Sequence, residues 1–110
     1  MDALAANATL EVLSRVGGLE AMLFARELFS AYLEYAQFRC WPVAPESFAL
    51  DEVELGGCQR GHVRLDSPEA YAWLKYEGGV HRMQRVPVTE RTGRMHTSTA
   101  VVVVLPSAEG

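Results

Sequence analysis

Apolar positions recur at three and four residue spacing from Leu19 to Gln37, where Ala21, Phe24, Ala25, Leu28, Tyr32 and Tyr35 share one face. Arg26, Ser30, Glu34 and Gln37 fall on another face, so the pattern predicts an amphipathic helix of about five turns. Before it, TLEVLS at 9–14 alternates Leu10 and Val12 with Thr9 and Glu11, the period of a half-buried strand. Gly17 and Gly18 stand between the two, where the backbone can turn through conformations closed to other residues.

Beyond the helix the pattern weakens. Pro42 and Pro45 in CWPVAPES make residues 40–47 an edge strand or an extended connection, because each proline removes a ladder hydrogen bond. DEVELGG at 51–57 and CQRGHVRLD at 58–66 read as two short strands around a Gly-Gly turn. Ser67 and Pro68 start a short helix that Gly78 or Gly79 ends. GVHRMQRVP and MHTSTAVVVVLP then form a strand pair joined by a polar loop, with the run from Val101 to Leu105 expected to be buried. The expected class is α+β, one long and one short helix packed on a mainly antiparallel sheet.

Composition adds bounds. With 110 residues, 49% apolar and 22% charged, the chain forms one domain over residues 9–106, with 1–8 and 107–110 as flexible ends. No apolar run approaches the ~20 residues that span a bilayer, so no membrane partner is expected. The opening MDALAANATL has neither a basic start nor a long apolar stretch, so no targeting segment is expected. Cys40 and Cys58 are expected as free thiols; the spacing of Cys58 and His62 would allow a shared metal, but no second ligand pair accompanies them. No metal, no cofactor and no catalytic residue is expected. Trp41, Trp73, Tyr71 and Phe48 are read as packing residues, and His81 as structural.

Charge is distributed unevenly. The net charge is −4, yet HRMQRVPVTERTGRMHTST at 81–99 holds four of the ten Lys and Arg residues against one acid. Pro87 fixes its own φ and restricts Val86, so it braces the entry to the loop from which Thr89 projects a hydroxyl. Gln84, His96 and Thr97 lie just outside. A ring, hydroxyls and an amide among arginines suit unpaired bases, through stacking, edge hydrogen bonds and phosphate contacts. An ordinary solvated hairpin tip has the same composition.

GGLEAMLFA at 17–25, KYEGGVHRMQRVPVTE at 75–90 and GRMHTSTAVVVVLP at 93–106 resemble the codon-recognition domain of class I peptide-chain release factors that read UAA and UAG. EAMLF and YEGGVHR resemble the mitochondrial members, so the resemblance implies a mitochondrial or cytoplasmic setting. The resemblance implies a module that reads stop codons at the decoding site of the small ribosomal subunit, with the ribosome and the messenger stop codon as partners. It implies that Pro87, Val88 and Thr89 form the P-x-T tripeptide, with Thr89 contacting the first two bases. Gly17 and Glu20 match the helix-start positions that read the first uridine, where backbone N–H groups can donate to uracil O4. His96 matches the residue stacked between the second and third bases, and Gln84 and Thr97 those contacting the third.

Arg15 departs from a common glycine, Leu19 from a polar residue and Met95 from a branched aliphatic one. The G-G-Q tripeptide that hydrolyses peptidyl-tRNA in the family is not matched by GGCQ at 56–59, and that domain and a preceding helical domain are expected to lie outside this chain. The chain is therefore expected to be catalytically inert alone. Two other readings stay open: the targeting domain of a peptidyl-tRNA hydrolase, and a repurposed ribosome-associated interaction module.

Overall fold

The computed structural model describes residues 5–86 and 91–107. Five strands form one sheet: β1 (Asn7–Ser14), β2 (Ala49–Glu52), β3 (Cys58–Leu65), β4 (Gly79–Arg85) and β5 (His96–Ser107). Their order is β2-β3-β1-β5-β4, and every neighbouring pair is antiparallel. Two helices, α1 (Gly18–Phe38) and α2 (Ala70–Leu74), complete the expected α+β architecture.

Strand periodicity sends Ala8, Leu10 and Val12 of β1, Val63 and Leu65 of β3, and Ala100 and Val102 of β5 into one core. Helix α1 lies across the three central strands and buries Ala21, Phe24, Ala25, Phe29, Tyr32 and Ala36 against them. Phe29 is the largest fully buried side chain, and it sits directly on Gly61 of β3. A Cβ at position 61 would fall 2.6 Å from the Phe29 ring, so the glycine is what lets the helix approach there. Burying such a ring stabilises the fold by roughly 2–3 kcal/mol. The buried stripe is centred on Phe29, one position round the helix from the expected face, and Leu28 and Tyr35 lie at its margin.

Three other expectations shift, and residues 40–47 take the second of their two expected forms. Residues 51–57 were expected to be one strand; β2 instead ends at Glu52 and a 3-10 turn follows at Glu54–Gly56, with Leu55 at φ 63° and exposed. Residues 40–47 are a connection that touches the sheet by a single bridge, Val43 to Leu65, and closes in a 3-10 turn at Pro45–Ser47. The Val101–Leu105 run is not buried throughout: Val102 is, but Leu105 is 54% exposed, because helices cover only one face of the sheet. The sheet also begins at Asn7 and ends at Ser107, so β1 and β5 take up residues expected to be flexible.

Among the expected packing aromatics, Trp41 is buried, whereas Phe48 and Trp73 are substantially exposed. The Trp73 ring carries the Arg39 guanidinium, 4.1 Å from its centroid. Ser67 forms the turn ahead of the short helix, its carbonyl accepting the Ala70 amide and its hydroxyl the Glu69 amide, while the N-cap itself is Glu69, with no side-chain cap. No helix among the described residues is long and apolar enough to cross a membrane.

Candidate nucleic-acid interface

Strands β4 and β5 form a ribbon at one edge of the sheet, and their register sorts the candidate residues. Gln84 pairs with Thr97, and Arg85 with His96. Directly opposed residues share a face and successive residues alternate, so Gln84 and Thr97 lie on the open face while Arg85 and His96 lie on the helix-covered face. Gln84 Nε2 donates to Thr97 Oγ1 at 3.3 Å. Gln84, His96 and Thr97 are all exposed.

The start of α1 reaches the same place from the other end of the sequence. Arg15 N–H donates to the Thr99 carbonyl at 2.8 Å, and Thr99 N–H to the Val16 carbonyl at 3.0 Å, extending the β1–β5 pairing to the helix start. Gly17 follows at φ 128°, with space for a Cβ closed off by the Thr97 carbonyl at 3.2 Å and Ser98 Cα at 3.3 Å. Gly18 continues at φ 58°. No side chain caps the helix, and the amides of its first turn have no carbonyl one turn earlier to receive them. The positive end of the helix dipole therefore sits beside Thr97.

Glu20 is buried, and its carboxylate faces Arg85 at 3.8 Å. Arg85 also grips Glu27 with both terminal nitrogens, each at 3.3 Å. Glu20 and Glu27 lie seven positions apart on one helix face, so a single arginine ties the ribbon to the first three turns of α1. Sequence reading overlooked this clamp. The acidic i, i+7 spacing on the helix and the parity of Arg85 with His96 were the available signals.

The structure thus brings Gly17, Glu20, Gln84, His96 and Thr97 to one end of the molecule. Pro87, Val88 and Thr89 lie outside the described residues. Arg15 turns away from this cluster: it donates to the Ser14 carbonyl and, with Arg60, lines an open pocket of about 470 Å³ on the other side of the helix start. His81 Nε2 bonds the Glu77 carbonyl at 2.7 Å, a structural tie between β4 and the turn before it. Cys40 is exposed and Cys58 buried, both as free thiols, and burial pushes the Cys58 thiol up from its ordinary range. Among the described residues, no three His, Cys, Asp or Glu side chains converge to hold a metal ion.

Comparison with known proteins adds a second line. The family described as PCRF domain matches residues 2–102. The rat protein named peptide chain release factor 1-like, mitochondrial is 52% identical over 97 residues, which cover 88% of this chain and 26% of that protein. Peptide chain release factor 1 of Gluconacetobacter diazotrophicus is 52% identical over 102 residues, 93% of this chain and 28% of its own length. Among solved structures, RF2 of Thermus thermophilus superposes with a TM-score of 0.89 at 29% identity, over 99% of this chain and 30% of that one. The chain therefore spans only about a quarter of the curated relatives it matches.

Proposed function

The chain belongs to the PCRF domain family, and from that premise we propose that it is the stop-codon-reading module of a translation release factor, recognising UAA and UAG in the ribosomal decoding site. One observation carries the reading: Gln84 and Thr97 are opposed and hydrogen-bonded on the exposed face of a ribbon, with the Gly17 helix start packed against the Thr97 carbonyl.

In this reading the backbone amides at the start of α1, at the N-cap Gly17 and at Glu20, donate to the O4 of the first uridine, a position where cytosine presents an amino group. The Glu20 carboxylate, turned inward to Arg85, holds the helix end rather than meeting the base. Thr89, in the Pro87-Val88-Thr89 tripeptide, contacts the first and second bases. The His96 imidazole stacks between the second and third. The Gln84 amide and Thr97 hydroxyl address the third base; an amide can accept from adenine N6 or, rotated, donate to guanine O6, which admits either purine. Hydrolysis of the peptidyl-tRNA ester belongs to another part of the parent protein, and this chain alone is inert. The mitochondrial name of the rat relative supports an organellar setting.

The test is a reconstituted release assay with a full-length release factor carrying this segment, on UAA, UAG, UGA and CAA codons. The Gln84→Ala variant should lose about 10- to 100-fold in rate on UAA and UAG, the size of one good base contact. Thr89→Ala should relax discrimination at the first two positions. Equal release on UAA and CAA by the unaltered protein would end the proposal.

A further inference from the structure

A second surface lies near the other end of α1, some 17 residues or about 25 Å from the helix start. Ala31, Tyr32 and Tyr35 of α1 face Trp73, Leu74 and Glu77 across a slot of about 330 Å³. Its walls are aromatic and aliphatic, and among the described residues that line it the one ionic group is the Glu77 carboxylate. Tyr32 donates its phenol to Glu77 Oε1 at 2.8 Å, and this is the one bond that the carboxylate makes among the described residues. The other oxygen is left for a donor. Burial and the neighbouring carboxylate push the Tyr32 phenol well above its ordinary value, so it stays a donor and Glu77 keeps its orientation.

The chain shows what such a combination binds. On the same indole, Arg39 stacks its guanidinium 4.1 Å from the Trp73 centroid while Arg39 Nη2 bonds the Glu69 carboxylate at 3.1 Å. Ring plus carboxylate recurs in the slot as Trp73 and Tyr35 with Glu77, but there no cation fills it among the described residues. A flat guanidinium satisfies both walls and acid, since it stacks on rings and presents a donor fork to a carboxylate. Glu34 stands on the adjoining exposed turn of α1, and the two flanking cations are already engaged, Arg39 on Trp73 and Glu69 and Lys75 over the Tyr76 ring, so Glu77 is left as the slot's uncompensated charge and sets the partner's sign.

We propose that this slot receives an arginine side chain presented by a basic protein partner. The Tyr35 and Trp73 rings that line the slot stack on the guanidinium, and Glu77 Oε2 accepts from it. The inference does not depend on codon reading, because it uses another face of the molecule.

The test uses the 110-residue chain and a blocked Gly-Gly-Arg-Gly-Gly peptide, followed through the ring resonances of Trp73, Tyr35 and Tyr32. A peptide with citrulline, the neutral isostere of arginine, should bind about tenfold more weakly, the loss expected for one charge-assisted bond. Glu77→Gln, which retains an acceptor for Tyr32, should bind the two peptides equally. Citrulline binding as tightly as arginine in the unaltered chain would overturn the proposal, whatever the variant does. So would a uridine hexanucleotide that shifts the same ring resonances more than the arginine peptide at equal concentration.

Discussion

Replacing Gly17 by alanine tests whether the helix start and the ribbon are one rigid site, and Gly18 beside it supplies the control. At φ 128°, ψ 8°, Gly17 occupies backbone space that an L-residue reaches only at a cost of roughly 3 kcal/mol. The new methyl would also press on the Thr97 carbonyl, Ser98 Cα and Ala21 Cβ, all at 3.2–3.3 Å, and none of these is the free end of a flexible side chain. Gly18 has φ 58°, ordinary left-handed space, with nothing within 4 Å of an added Cβ. Alanine there costs about 1 kcal/mol from the backbone. Both changes gain back about 0.4–1 kcal/mol from a stiffer unfolded chain. Net losses of about 2–3 kcal/mol for Gly17→Ala and about 0–1 kcal/mol for Gly18→Ala follow. Urea denaturation with unchanged slope measures them, and the gap corresponds to about 10 °C in melting midpoint. Equal midpoints for the two variants would refute the reasoning, because strain and contact at position 17 would then be immaterial.

Gly61→Ala should cost about 2–3 kcal/mol by driving a methyl into the Phe29 ring, and Phe29→Leu should recover part of that loss in the double variant, read by urea titration. Ellman's reagent should modify Cys40 promptly and Cys58 only on unfolding, since the Cys58 thiol is buried and its ionisation is pushed up; two fast thiols would contradict this placement. Glu69 accepts from the Trp41 indole and from Arg39, which hold its carboxyl below the ordinary value of 4.5. A lowered folded value means the contribution is complete above the ordinary value and is lost as pH falls through the lowered one. Trp41→Phe should therefore flatten the loss of stability as pH falls below the ordinary value of 4.5, measured by urea midpoints.

Helix α1 and strands β1 and β5 were legible because each buries one face over enough residues for a period to show. Short elements were not. Val53 and Leu55 supply apolar residues to a strand-like stretch, but Leu55 adopts a left-handed turn and faces water. The valine run looked two-sided because side-chain type says nothing about whether a second layer covers the sheet. Trp73 was read as packing, and its exposure follows from the brevity of α2, which carries the ring to the rim beside Arg39. At the candidate site, alternation places Gln84 with Thr97 once the hairpin register is known. The contact between Gly17 and Thr97 joins residues 80 positions apart, and no local pattern announces it.

That long-range contact, together with the alternation, explains how so small a site could treat neighbouring bases differently. His96 and Thr97 are consecutive, and consecutive strand residues point to opposite faces. In the proposed reading, a base held against Thr97 and Gln84 cannot share the imidazole's face with the base before it; a pair of readers at i and i+2 would have placed them together. The helix-side face of the ribbon is fixed by Arg85 through Glu20 and Glu27, so the imidazole sits at an anchored rung. The open face meets no helix, which leaves the Gln84 amide room to turn for adenine or guanine. In the proposed reading, one face held and one face open is the physical basis for strict stacking beside permissive purine recognition, and it comes from strand parity plus a single arginine clamp.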